Sequence, residues 1–107
     1  MFREILKEHL DELMLRIEKI EYAFEKLRGR PVNGDEFEAL CRIIHSLKGS
    51  LQSVGMNDEA AIIMKLEDEV FRYRPGDGGS ITIATEQLHH WYTFLNEVDN
   101  SLKSYLF

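Results

Sequence analysis

One cysteine, Cys41, occurs in 107 residues, so no disulfide can close within the chain and a reducing compartment, the cytoplasm, is expected. Long apolar runs are missing too, and the start, Met1-Phe2-Arg3-Glu4, lacks the basic then apolar layout of a signal peptide. No contact with a membrane is expected. Basic charge is short: 13 Lys and Arg against 19 Asp and Glu leave a net charge of −6, an acidic surface that repels a phosphate backbone. Nucleic acid is therefore an unsuitable partner. Internal repeats and low-complexity stretches are absent. The length suits one domain spanning residues 1–107, and 44% hydrophobic with 30% charged residues suits a folded core.

What the sequence does have is helical periodicity. Leu6, Leu10, Leu13, Ile17, Ile20, Phe24 and Leu27 alternate steps of four and three, the seam of a bundle helix. Gly29 and Pro31 predict its end, one by a left-handed turn and the other by lacking the N–H. A second helix is predicted from about Glu36 to Val54. Asp35 and Glu38 form its candidate capping box, and Phe37, Leu40, Cys41, Ile44, Leu47, Leu51 and Val54 its stripe. Gly55 ends it, and Asn57 is the candidate cap of a third helix with stripe Ile62, Ile63, Leu66, Val70 and Tyr73, closed by Pro75. Residues 75–80 read as a flexible loop. The last helix carries Ala84, Leu88, Trp91, Leu95, Val98, Leu102 and Tyr105, with Ile81-Thr82-Ile83 as an optional extended lead-in. Strands have almost no support. Four such helices on short connections predict an all-α, antiparallel up-down-up-down four-helix bundle.

Helix 2 carries residues that a bundle does not need. His45, Lys48, Gly49 and Gln52, at i, i+3, i+4 and i+7, share one side of it. His45 lies roughly 120° from the centre of the apolar stripe, so its ring is expected at the edge of the core, open to solvent. Gly49 in mid-helix costs about 1 kcal/mol relative to Ala and leaves a gap through which another molecule can approach. This set suits phosphoryl transfer through imidazole. A neutral imidazole offers a ring lone pair to phosphorus without an activating base, and Lys48 can meet the charge that moves onto the phosphoryl oxygens. A carboxylate on the other ring nitrogen would fix the tautomer, and Glu67, beside the stripe of helix 3, is the candidate.

The run His45-Ser46-Leu47-Lys48-Gly49-Ser50, with Gly55 ten residues after the histidine, resembles the His-x-x-Lys-Gly-Ser signature of histidine-containing phosphotransfer (HPt) domains of phosphorelays. Glu67 is similar to the Glu or Gln with which that family holds the ring. Phe2 to Tyr73, notably Leu66-Glu67-Asp68, also resembles the phosphotransfer domain of chemotaxis-type histidine kinases. The resemblance implies a phosphorelay intermediate in which His45 takes a phosphoryl group from a kinase or a receiver-domain aspartate and passes it to a response regulator. It implies catalytic roles for His45, Lys48 and Glu67, supporting roles for Gly49, Ser50 and Gln52, and no metal or other cofactor of the domain's own. The partner receiver would supply Mg²⁺ and dock on helices 1 and 2 around His45. Leu51, where the family often has Ser or Ala, is expected to alter partner fit, and Met64 replaces a second histidine frequent in the chemotaxis branch.

Other polar residues have plainer readings. His89 and His90 lie off the helix 4 seam, and the single Glu-x-x-His of Glu86 and His89 is half of what a di-iron bundle needs. His9 sits among Glu8, Asp11 and Glu12 on an exposed face, and Cys41 borders the stripe as a small core residue. The glycines at 76, 78 and 79 lack the Lys and Ser/Thr of a phosphate loop. No ATP-binding region is present, so autonomous kinase activity is not expected. The alternative functions are a non-catalytic helical scaffold that docks on receivers and a metal-binding bundle; the expected state is a monomer.

Overall fold

The structure is a computed structural model that describes residues 2–105, with side chains from residue 7 onward. Leu6 therefore lies outside the described side chains. Four helices, α1 (Phe2–Leu27), α2 (Gly34–Ser53), α3 (Asn57–Phe71) and α4 (Thr85–Ser104), form the predicted all-α bundle. Each packs on its neighbours in chain order, and α4 closes the ring against α1. The four-three stripes are the core: Leu10, Leu13, Ile17, Ile20, Phe24 and Leu27 of α1 meet the matching residues of α2, α3 and α4. None of these helices is long and apolar enough to cross a membrane.

The ends of the stripes depart from the prediction. Val54 and Tyr105 are exposed because they follow the last helical residues, and Tyr73 is exposed because α3 ends at Phe71. Ala84 lies outside α4 at its N-cap, and the preceding Ile83 is buried in its place. Cys41 and Ile62 are only partly buried, on the flanks of their stripes. Leu51 is fully buried, so its departure from the family pattern bears on the core rather than on a partner.

The glycine stops behave as expected. Gly29 and Gly55 have φ of +71° and +80°. At the second, the Met56 N–H donates to Leu51 O at 2.9 Å and the Gly55 N–H to Gln52 O at 3.0 Å, the paired bonds of a Schellman turn. The turn satisfies two carbonyls at the end of α2 and sends the chain directly into α3.

The starts of α2 and α3 differ from the sequence reading. Asn33, not Asp35, caps α2: its Oδ1 accepts from the Glu36 N–H at 2.9 Å, while Asp35 lies inside the first turn. The reason is tertiary. Val32 and Asn33 (β1) pair antiparallel with Ser80 and Ile81 (β2), a two-residue ladder that holds Asn33 in the extended conformation an N-cap requires. Strands, which have almost no support in the sequence, are confined among the described residues to this ladder, and it ties the α1–α2 connection to the α3–α4 connection. The 75–80 loop contains an ordered turn, in which the Gly79 N–H donates to Gly76 O at 2.9 Å. Asn57 is the first residue of α3 and not its cap; Met56 takes that place without a side-chain bond, because the Schellman turn already directs it. We expect Asn33→Ala to lower stability by about 1 kcal/mol and Asp35→Ala by only a few tenths, measured by urea denaturation. Equal losses would refute the assignment of the cap.

Candidate functional site

Helix α2 presents His45 outward and α3 brings Glu67 up beside it. The His45 side chain is 69% exposed, and its Nδ1 lies 2.7 Å from Glu67 Oε2. Lys48, one turn along α2 and only 16% exposed, donates from Nζ to the other oxygen, Oε1, also at 2.7 Å. One carboxylate thus bridges the ring and the ammonium across the α2–α3 seam. Buried Leu47 and Leu66, the neighbours of these residues in sequence, lock the two helices together and fix the bridge.

The electrostatics determine the tautomer. Partial burial alone would raise the Glu67 carboxyl, but the hydrogen bonds from Lys48 and His45 and their charges outweigh it, and its pKa lies below the ordinary 4.5. Glu67 is therefore ionised at neutral pH and can only accept. His45 Nδ1 must therefore carry the proton it shares with Glu67, and in the neutral ring the lone pair is on Nε2. Because the folded pKa is depressed, the stabilisation from this carboxylate is fully present above about pH 4.5 and is lost as the pH falls through the lowered value. Glu67→Gln should flatten that part of the acid limb in urea midpoints measured against pH. An unchanged acid limb would refute the coupling.

Of the residues singled out in the sequence, the structure brings together His45, Lys48 and Glu67. Gly49 follows on the same face, and a Cβ built there meets no atom within 4 Å, so crowding inside this chain does not explain the glycine. Ser50 turns away, lining a recess between α1 and α2 with His9 and Glu12. Gln52 is exposed and its side chain makes no hydrogen bond among the described residues. Elsewhere, His90 Nε2 lies 3.0 Å from Glu69, a second imidazole–carboxylate pair that no lysine joins among the described residues. His9, His89 and Glu86 are exposed.

Two features escaped the sequence reading. Arg16 of α1 donates to Ser46 Oγ at 2.7 Å and to Glu12 at 3.2 Å, anchoring a cation beside the residue after His45. Periodicity gives no signal for this, since it depends on the rotation of α1 against α2. The second feature is an open cleft of about 490 Å³ between α2 and α3, reaching from Phe37, Cys41 and Phe71 to His45 and Glu67. Phe71, 54% exposed, lies off the predicted stripe and was its one visible sign. Burial pushes the Cys41 thiol up in pKa, so it stays protonated and a poor nucleophile.

A family model described as Hpt domain matches residues 3–102 of the chain. No curated protein and no solved structure matches it.

Proposed function

Since the chain belongs to the Hpt domain family, the histidine phosphotransfer domains of phosphorelays, we propose that His45 is its phosphoacceptor and carrier, loaded by a receiver-domain aspartate or a histidine kinase and unloaded onto a response regulator. The observation that carries this reading is the Glu67 bridge, which occupies His45 Nδ1 and leaves Nε2 free on a ring that solvent and partners can reach.

Loading from a receiver is a substitution at phosphorus. The Nε2 lone pair attacks, the Nε2–P bond forms, the aspartyl P–O bond breaks, and the receiver's carboxylate leaves with the electron pair. The Nδ1 proton stays between the ring and Glu67, whose negative charge offsets the positive charge developing on the imidazole. Lys48 holds Glu67 ionised and oriented, and its ammonium adds positive charge one turn from the acceptor. The receiver supplies Mg²⁺. Its approach passes over Gly49, on the faces of α1 and α2, with the α2–α3 cleft extending that surface. The single cysteine favours a cytoplasmic domain, and helix seams buried within one chain favour a monomer.

The test is incubation with a phosphorylated receiver, followed by intact-mass analysis and mapping of the acid-labile, alkali-stable label. The expected product is phosphohistidine at residue 45 with phosphorus on Nε2. A label at another residue or on Nδ1 would overturn the reading, and no label from several competent receivers would favour the scaffold. Gly49→Ala should stabilise the helix by about 0.5–1 kcal/mol yet slow transfer from a receiver, because a methyl group enters the approach. Unchanged transfer would remove Gly49 from the docking surface.

A further inference from the structure

We propose that Arg42 is a phosphoryl-binding residue of this site, its guanidinium gripping the oxygens of the group carried on His45 Nε2. The inference rests on His45 being the acceptor. Three of the cations near the ring already have partners. Lys48 is matched by Glu67 at 2.7 Å, Arg74 by Glu38 at 2.8 Å, and Arg16 by Glu12 and Ser46. Arg42 has no hydrogen bond or ion pair among the described residues, and it lines the same cleft as His45.

The spacing fits. Arg42 and His45 are i and i+3 on α2, neighbours on the helix surface with about 5–6 Å between their Cβ atoms. A long arginine side chain starting one turn before the ring can lay its planar fork against two phosphoryl oxygens, a match that an ammonium cannot make. The charge balance calls for such a group. Phosphorylation adds about two negative charges to a chain already at −6, beside Glu67 and Asp68 in the cleft wall. Lys48 offsets Glu67 and Arg74 offsets Glu38, so among the described residues lining the cleft Arg42 is the positive group left to offset the phosphoryl oxygens.

Charging with phosphoramidate tests this without a protein partner. Nε2 attacks phosphorus, the Nε2–P bond forms, the P–N bond of the N-protonated donor breaks, and ammonia leaves with the electron pair while the Nδ1 proton stays on the ring, hydrogen-bonded to Glu67. Since Arg42 is exposed, the loss of its charge-assisted contact should be modest: Arg42→Gln is expected to charge about fivefold more slowly than the wild-type domain. Arg42→Lys should recover part of the rate, and added salt should slow the wild type more than Arg42→Gln. Melting temperatures should agree among the three proteins. Equal charging rates for wild type and Arg42→Gln at low salt would overturn the proposal while leaving His45 as acceptor. A wild-type domain that fails to charge would overturn the reading of His45 itself.

Discussion

His45→Gln should abolish phosphoryl charging by any donor and leave the bundle folded. The loss is complete in principle, since the carrier is the imidazole Nε2 and an amide nitrogen, its lone pair delocalised, is no nucleophile for phosphorus. Folding should hardly change. The ring is 69% exposed, its hydrogen bond is to Glu67, and that carboxylate keeps Lys48 as a partner when the ring is gone. The Gln side chain also supplies an N–H donor in place of Nδ1. Substitutions at such positions are worth within about 0.5 kcal/mol, or about 2–4 °C in melting temperature for a domain of this size. Mass spectrometry after charging and a thermal melt together check both halves. Residual phosphohistidine in the variant would place the acceptor elsewhere, with His90 beside Glu69 the first residue to examine.

Trp91→Ala should have the largest effect on stability. Trp91 is fully buried in the second turn of α4, packed against Phe24 of α1 at 5.7 Å and Tyr73 just beyond α3 at 5.4 Å between ring centroids. Truncating a buried aromatic costs about 3–5 kcal/mol through lost transfer energy and the cavity left behind. Domains have about 5–15 kcal/mol in all, so the variant should lose a large fraction of its stability. Trp91→Phe should cost less than half as much. Its ring refills most of the space, and the exchange removes a buried indole N–H that has no hydrogen-bond partner among the described residues. Urea midpoints at constant m-value measure both. A loss under about 1 kcal/mol for Trp91→Ala would mean that the α1–α4 seam repacks around the gap.

These two substitutions show different depths of legibility. Trp91 was readable as core because it continues the steps of four and three through Leu88, Leu95 and Val98, and all four are buried. His45 was readable as an outward side chain for the complementary reason, its angle from the stripe of Ile44 and Leu47. The caps of α2 and α3 were not. Asn33 and Asp35 are both acceptable N-caps by residue type, and the choice fell to a ladder with Ser80 and Ile81, far along the chain. Asn57 likewise has a capping side chain, but the turn at Gly55 had already satisfied the geometry.

The acidic run Glu67-Asp68-Glu69 shows how far a sequence reaches. Its place beside the stripe of α3 singled out Glu67 as a partner for His45, and the structure puts its Oε2 at 2.7 Å from the ring. That Lys48 bonds the other oxygen of the same carboxylate, that Glu69 pairs with His90, and that Asp68 lines a cleft with Arg42 were decided by the tertiary structure. By itself the sequence determined where helices run, which face of each is buried, where glycine stops them, and which side of α2 holds His45. Those properties follow from neighbours within a turn or two, set by 3.6-residue periodicity and local backbone sterics. Which oxygen meets which nitrogen depends on how α2 and α3 rotate and slide against each other, and packing of residues far apart in the chain sets that.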